Sequence, residues 1–285
     1  AGKSSFDLVD AEALLDKLRD DRWGTGAGRE EDPLTRGGHW CAELEGDSIL
    51  SSEYLLMKWI LAQENDRPAE DPDRLARIAN QLRLSQRPDG TWGQYPGSPP
   101  DISACVKSYF ALKLAGDAPE ANHMAASREQ IRTLGGAEAI NTFSMFYLAC
   151  LGQVSWDVCP AIPPEIALLP RWFPFHMDKV SAWTRTMILP LAICSAERPV
   201  RQLPEDRGIG ELFLDQRNRR RPLHNWDRAD PLSWQNFFLV CDRALKIAHR
   251  VGGSPVRGLA LRRAEKWILE RLDPRTTEGL GAIFP

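Results

Sequence analysis

Apolar residues recur three and four positions apart along most of this chain, and glycine or proline ends each run. This spacing puts apolar side chains on one face of a helix, whereas the alternation typical of strands is nearly absent. Asp47 and Asp101 stand where N-caps are expected, and Gly116 and Gly152 where helices end. The predicted helices cover residues 10–22, 47–63, 72 to a turn at 88–90, 101–116, 121–134, 138–151, 176–196 with a bend at 190, 233–251 and 256–272.

The helix that opens at Pro72 runs into the tight turn around which the neighbouring sequence is organised. Pro88 and Gly90 stop the helix, because proline lacks a backbone donor and glycine accepts a positive φ. We therefore expect Trp92 to fold back against the helix that it follows. The amide of Gln86 is expected to meet unpaired backbone groups there and to give the indole a flat surface.

The segments between these helices differ in composition. Residues 154–175 are rich in proline and aromatic residues, and 163–166 suit a single helical turn. Residues 199–230 are polar and basic, and only 209–214 among them are expected to be structured. Helices of this length, joined mostly by short connections, predict antiparallel neighbours and an all-α architecture.

Composition narrows the class of protein. The 285 residues are 43% hydrophobic and include 10 Trp, which is ample for a large core and unusually rich in aromatic surface. A formal charge of -3 argues against a nucleic-acid-binding protein. The 6 cysteines form no CxxC pair, which indicates reduced thiols. With no signal peptide and no long apolar run in the sequence, a reducing cytoplasm is the expected compartment.

The turn after the third predicted helix resembles the QW motif of the triterpene cyclases, the family of squalene-hopene and oxidosqualene cyclases. The residues that carry it are Arg77, Leu82, Gln86, Gly90 and Trp92. Ile78 and Gln81 depart from the motif, which prefers a small residue and an aromatic residue there. A second copy begins at 263–268 but lacks the later glutamine and tryptophan. An ordinary helix stop followed by a tryptophan also explains this window taken alone.

Further stretches resemble bacterial squalene-hopene cyclases in the same order along the chain. They are residues 39–40, 43–45, 52–54, 97–101, 106–107, 109–113, 163–166, 181–185 and 281–285. The resemblance implies an α/α toroid with QW-type repeats, in which 39–285 form an incomplete α/α barrel. Residues 1–38 would form a helix and linker that pack on a second barrel. The uncharged end at 279–285 suggests a chain cut from something longer.

The resemblance also implies a chemistry. The family's reaction is a proton-initiated cascade that folds squalene into pentacyclic hopanoid triterpenes in a dry, aromatic-lined cavity, where π-faces stabilise carbocations. Its acid is an aspartate of a DxDD motif, held protonated by burial and neighbours. The chain contains no DxDD, so we expect an isomerase-type enzyme at full length and no activity from these residues alone. No cofactor is implied, since DDxxD and a zinc-ligand set are also absent.

Matching positions imply several cavity and channel residues. Trp183 would line the product end of the cavity, although a tryptophan at a helical position also fits an ordinary core. Phe143 matches another cavity aromatic. Val180 and Ile188 match positions near the entry channel.

The remaining matches concern a wall and a polar network. Ile283, Phe284 and Pro285 match the apolar wall that shapes the substrate, and Phe284 replaces a polar residue of some members. Glu53 matches a glutamate of a polar network near the cavity, although a surface charge on a helix is equally compatible with its sequence. Lys107 stands where the family has a second glutamate, and an ion pair with Glu53 is one way to compensate.

The helix predicted from 233 is the candidate for membrane contact, because squalene is dissolved in lipid. Its first turns carry Trp234, Phe237, Phe238 and Leu239, and a basic run at 217–221 precedes it. This arrangement suits a helix that lies on a bilayer near anionic headgroups, and it also suits a buried core helix. The expected partners are squalene, membrane lipids and, at full length, a second copy in a homodimer, on the cytoplasmic face of a membrane.

Other classes of function remain open from the sequence. A diterpene-type cyclase of the same toroid, or a cyclase-like lipid-binding module without the acid, fits the same helices. A DxDD motif beyond Pro285 would favour the enzyme, and its absence the binding module. An α/α glycosidase would need two carboxylates across a cleft, and the sequence nominates no such pair.

Overall fold

The computed structural model describes residues 22–23, 39–40, 47–62, 72–95, 97–173, 176–220, 226–250 and 255–271. Contacts divide the chain into two compact units, Ala1–Glu45 and Gly46–Pro285, whereas the sequence predicts a boundary after residue 38. In the first unit, β1 (Arg22–Trp23) pairs antiparallel with β2 (His39–Trp40). Arg22 therefore belongs to a strand and not to the predicted first helix, because its backbone pairs with Trp40. The other residues of that helix lie outside the described ones.

The second unit is helical in its described part, as the sequence predicts. Its α-helices are α1 (Ser48–Ile60), α2 (Pro72–Leu84), α3 (Ile102–Ala115), α4 (Asn122–Thr133), α5 (Thr142–Cys150), α6 (Ala182–Glu197), α7 (Trp234–Arg250) and α8 (Arg257–Leu269). Short 3₁₀ helices lie at Ala137–Ala139, Pro164–Leu168, Met177–Lys179, Glu205–Arg207, Gly210–Leu212 and Gln216–Arg219. None of the helices in the described segments is long and apolar enough to cross a bilayer.

The predicted starts of α1 and α3 and the predicted end of α3 are confirmed by their caps, whereas α1 ends at Ile60, a few residues before the predicted 63. Asp47 Oδ1 accepts a hydrogen bond from the backbone N–H of Ile49 at 3.0 Å. Asp101 Oδ1 accepts one from Ala104 N at 2.7 Å, and Gly116 ends α3 with a φ of 110°. These contacts satisfy amide groups that a helix start leaves unpaired, which is why short acidic residues mark helix starts in the sequence.

The predicted start of α5 at residue 138 is wrong, because Asn141 caps the helix. Its side chain accepts a hydrogen bond from Ser144 N at 2.9 Å, and Ala137–Ala139 form a separate 3₁₀ turn. The carboxylate of Glu138 instead accepts hydrogen bonds from the backbone N–H of Leu214, at 3.1 and 3.2 Å. Glu138, which looks like a helix start in the sequence, thus holds a loop that is distant in the chain.

The predicted start of α6 at residue 176 is wrong for the same kind of reason. Ser181 Oγ accepts a hydrogen bond from Thr184 N at 3.1 Å and caps the helix. Val180 before it is extended, with φ -100° and ψ 158°, so the 3₁₀ turn at Met177–Lys179 cannot continue into α6. The helix then continues through Pro190 to Glu197.

The polar segment before α7 contains more structure than the sequence predicts. Turns at Glu205–Arg207 and Gln216–Arg219 flank the expected one at Gly210–Leu212. Asp215 caps the last of them, since its Oδ1 accepts a hydrogen bond from Arg217 N at 2.8 Å. Local side-chain contacts of this kind stabilise short turns, and such turns have no repeating pattern of apolar residues from which they could be predicted.

The main core is built around α3, which is buried on nearly every side by its neighbours α1, α2 and α4. A second, smaller cluster joins α6 to α8 through Met177, Leu189 and Ala264. The five described cysteines are free thiols, and Cys41 lies outside the described residues. Burial raises the pKa of Cys105 to about 11 and that of Cys159 to about 12, which keeps these thiols protonated at neutral pH.

Candidate functional site

The turn after α2 folds Trp92 back onto the helix, with only 1% of the residue exposed. Trp92 Nε1 donates a hydrogen bond to the carbonyl of Leu82 at 2.9 Å. Gln86 Nε2 donates to the carbonyls of Gly90 and His123, both at 3.0 Å. Because His123 belongs to α4, the glutamine joins the end of α2 to a second helix as well as closing its own turn.

Gly90 fits this turn for two reasons. Its φ is 85°, a conformation that side chains disfavour, and an added Cβ would lie 2.8 Å from the backbone of Ala126 in α4. The close approach of the turn to α4 therefore depends on glycine. The second QW-like copy starts within α8, and its continuation beyond Arg271 lies outside the described residues.

Glu53 and Lys107 form an ion pair inside the helical unit. Lys107 Nζ donates a hydrogen bond to Glu53 Oε1. The Lys107 side chain is 2% exposed and the Glu53 side chain is 0% exposed. Tyr147 OH donates to the other oxygen of Glu53 at 3.4 Å. Burial raises the pKa of Glu53 above its ordinary value, while Lys107 and Tyr147 act in the opposite direction. This is the ion pair that the sequence suggests as compensation for the missing second glutamate. Glu53 is therefore a buried residue and not a surface charge.

Tyr147 is a member of this polar group that sequence reasoning missed. Burial and the adjacent Glu53 carboxylate raise the pKa of the Tyr147 phenol, so it remains a hydrogen-bond donor at neutral pH. The signal was present in the sequence: Tyr147 follows Phe143 by four residues on α5, and residues four apart share a helix face. The nomination of Phe143 as a cavity aromatic therefore pointed to the same face.

Trp183 and Phe143 lie in the first turns of α6 and α5, and they are 40% and 39% exposed. Neither ring is fully enclosed by the described residues, as a residue that only fills the core would be. Val180 and Ile188 both pack against the small cluster of Met177, Leu189 and Ala264. The structure therefore brings the two predicted channel residues to one place.

Ile283, Phe284 and Pro285, predicted to form the wall of the cavity, lie outside the described residues. Their role stays a prediction. No group of three or more His, Cys, Asp or Glu side chains in the described segments has the arrangement of a metal site.

Three aromatic rings at the start of α7 form an exposed cluster. Trp234, Phe237 and Phe238 are 72%, 50% and 57% exposed. Their ring centroids lie 5.4 to 6.1 Å apart. Leu239 is only half exposed, because it shares a helix face with Asn236, whose side chain is buried and donates to the carbonyl of Asp227 at 2.8 Å. We call Trp234, Phe237 and Phe238 the aromatic cluster.

Comparison with known proteins gives consistent matches. The family model for the squalene-hopene cyclase N-terminal domain matches residues 32–285. The chain is 40% identical to a probable squalene-hopene cyclase of Sinorhizobium fredii over 87% of its length and 37% of that protein's. It is 36% identical to a squalene-hopene cyclase of Zymomonas mobilis over 87% of its length and 36% of that protein's.

A third relative is more distant. The chain is 34% identical to a squalene-hopene cyclase of Alicyclobacillus acidocaldarius over 82% of its length and 35% of that protein's. The chain thus spans little more than a third of the length of these curated relatives.

Proposed function

The chain belongs to the squalene-hopene cyclase N-terminal domain family, and from this premise we propose that it is the N-terminal part of a squalene-hopene-type cyclase. The observation that carries the proposal is the family match over residues 32–285, together with relatives that are named squalene-hopene cyclases. The substrate is squalene, and the products are pentacyclic hopanoid triterpenes. The reaction is a cationic polycyclisation started by a proton from an acid that these residues do not include.

In this proposal the chain supplies aromatic and apolar surface to the reaction cavity. Trp183 and Phe143 present partly exposed rings, and a π-face stabilises a nearby cation without bonding to it as a lone pair would. Val180 and Ile188 border the path along which the substrate enters. Ile283, Phe284 and Pro285 complete the wall that folds the substrate.

The buried polar group of Glu53, Lys107 and Tyr147 lies behind this surface in our proposal. The lysine neutralises a carboxylate that would otherwise attract a carbocation, and the phenol occupies its second oxygen. A fixed, paired carboxylate is a poorer nucleophile than a free one, because its lone pairs are engaged in hydrogen bonds. Lys107 and Tyr147 therefore hold the Glu53 carboxylate in place near the cavity and keep its oxygens away from the carbocation.

We also propose that the protein attaches to the cytoplasmic face of a membrane through the aromatic cluster. Three adjacent exposed rings at the start of an amphipathic helix support this, since large aromatic side chains favour the bilayer interface. The homodimer implied by the resemblance belongs to the same proposal and is tested by light scattering of the complete gene product.

The alternative readings have less support. The relatives reported above are named squalene-hopene cyclases, which does not favour a diterpene-type cyclase or a lipid-binding module without catalysis. Detection of a DxDD motif in the remainder of the gene product would further separate these readings.

The experiment that tests the cavity assignment replaces Trp183 with alanine in the complete gene product and identifies squalene products by mass spectrometry. Loss of a cation-stabilising ring should shift products toward early-terminated rings. Trp172→Ala is the matched control, because Trp172 is 78% exposed and outside the proposed cavity. A large fall in melting temperature with an unchanged product pattern would show that Trp183 is only a packing residue.

A further inference from the structure

A cavity of about 620 Å³ opens beside the turn that follows α5, and arginine and glutamine side chains line it together with apolar residues such as Val154 and Val200. Its main polar lining residues are Gln153, Gln202, Gln216, Arg217, Arg219 and Arg220. Among the described residues that line it there is no carboxylate. A concave surface with several cations and no internal counter-charge attracts anions.

Arg219 is held in a fixed orientation at this cavity. Its Nε donates to the carbonyl of Gln153 at 2.7 Å, and Nη1 donates to Gln216 Oε1 at 3.3 Å. Its guanidinium carbon also lies 5.6 Å from the ring centroid of Phe213. Such restraint lowers the entropy lost when the group binds a ligand.

Arg217 and Arg220 are exposed, and their side chains form no ion pair with any residue in the described part of the chain. The adjacent acid, Asp215, does not line the cavity, and its Oδ1 accepts from the backbone N–H of Arg217. The guanidinium groups of Arg217 and Arg220 therefore keep their donors available. A guanidinium presents paired N–H groups that match the oxygens of a phosphate.

We propose that this cavity binds a phosphate-bearing ligand through Arg217, Arg219 and Arg220. Its volume lies in the range of small-molecule sites, about 300–1,000 Å³, and leaves room for the body of a ligand beyond the phosphate group. The side-chain amide of Gln202 forms no hydrogen bond with the described residues and is available to a hydroxyl or ester oxygen of that body. The phosphate comes either from a phospholipid headgroup or from a soluble phosphorylated molecule. The site goes beyond the proposed cyclisation, which uses a substrate without phosphate.

The test compares two double variants of the chain. Arg217→Gln with Arg220→Gln removes two cations from the cavity and leaves the anchored Arg219 in place. Arg262→Gln with Arg263→Gln removes the same charge from exposed positions on α8 that form no ion pair in the described segments. Glutamine is nearly as good a helix former as arginine, so the control should keep its fold, which circular dichroism verifies.

Calorimetry measures binding of inorganic phosphate and glycerol 3-phosphate, the soluble probes. Sedimentation measures binding to vesicles of phosphatidylcholine with phosphatidylglycerol, relative to vesicles of phosphatidylcholine alone. The Arg217→Gln, Arg220→Gln variant should bind at least one class of probe more weakly by about tenfold or more, because it has lost charged hydrogen bonds. The Arg262→Gln, Arg263→Gln control should bind as the original chain does. Loss with the soluble probes identifies a soluble ligand. Loss that is confined to the anionic vesicles and persists at high salt identifies a phospholipid headgroup in the cavity, because general attraction to the surface is screened there.

Two results would overturn the proposal. One is equal weakening in both variants, which would mean that net charge alone attracts the probes. The other is a chain that binds neither the soluble probes nor the anionic vesicles in preference to the neutral ones.

Discussion

Lys107 donates to Glu53 where α3 crosses α1, and the pair is almost completely withdrawn from water. The family resemblance leads one to expect two glutamates at these positions, which would repel each other in the same place. The lysine changes that repulsion into an ion pair. Removing two charges from water is unfavourable, however, so the pair need not add net stability compared with apolar residues of the same size.

We predict that either charge left alone is strongly destabilising. Glu53→Gln or Lys107→Met should lower the free energy of unfolding by about 3–5 kcal/mol, because each leaves an uncompensated buried charge or unpaired polar group. The double variant should recover most of that loss. Urea denaturation of all four proteins measures it, and losses that simply add in the double variant would contradict a direct interaction.

The turn after α2 should be held against α4 through Gln86. Gln86→Ala removes two hydrogen bonds to backbone carbonyls, and we expect it to lower the free energy of unfolding by about 1–3 kcal/mol. Gln81→Ala is the control, since Gln81 is exposed on the same helix. Equal effects of the two substitutions in thermal or urea unfolding would mean that the Gln86 contacts add nothing beyond helix propensity.

Asp117 should make stability depend on acid pH. Burial opposes its ionisation, but Arg83 and His123, at 2.5 and 2.8 Å from its oxygens, outweigh that effect and lower the pKa below the ordinary 3.8. A lowered pKa in the folded state gives stability that is complete above the unfolded value and is lost as pH falls through the folded value.

The measurement is urea unfolding of the original chain and Asp117→Asn across this range. The stability advantage of the original chain should be constant near neutral pH and should shrink below about pH 4. Asp206→Asn, at an exposed position, controls for general charge effects. An advantage that does not change down to about pH 3 would refute the assignment.

The aromatic cluster should control attachment to lipid. Replacing Trp234, Phe237 and Phe238 with serine should release the protein from liposomes at any salt concentration. Burial of three such side chains in lipid contributes on the order of 5 kcal/mol to binding. Neutralising the arginines at 217–221 should weaken binding only at low salt. Liposome flotation at two salt concentrations measures both.

A matched control replaces Leu61, Leu84 and Leu259, which are 64%, 72% and 53% exposed elsewhere on the helical unit, with serine. Undiminished flotation of the folded aromatic variant, or equal release of the control, would place the membrane-binding surface elsewhere.

Local signals made much of the fold predictable. Asp101 marks the start of α3 and Gly116 its end, as expected, because a cap and a positive φ depend on a few neighbouring residues. The starts of α5 and α6 were misplaced because Glu138 and the turn before Ser181 take part in contacts that an apolar period does not encode. The burial of Glu53 also depends on helices far apart in sequence, so the sequence alone left its environment undecided.

The site residues divide in the same way. The turn of Gln86 and Trp92 follows from adjacent residues, whereas the part played by Tyr147 depends on the packing of α5 against α1. The arginine cavity joins residues from three separate segments, among them Gln153, Gln202 and Arg219. The sequence shows the basic run at 217–221 that supplies the arginines, but their meeting with Gln153 and Gln202 depends on the fold.

The central claim is that these residues form part of a squalene-hopene-type cyclase and lack its acid. The measurement is incubation of squalene with the 285-residue chain and with the complete product of its gene, followed by mass spectrometry of the lipids. Our account predicts pentacyclic hopanoid products from the complete product and unchanged squalene from the chain alone. Polycyclic products from the chain alone, or none from a folded complete product that contains a DxDD motif, would contradict it.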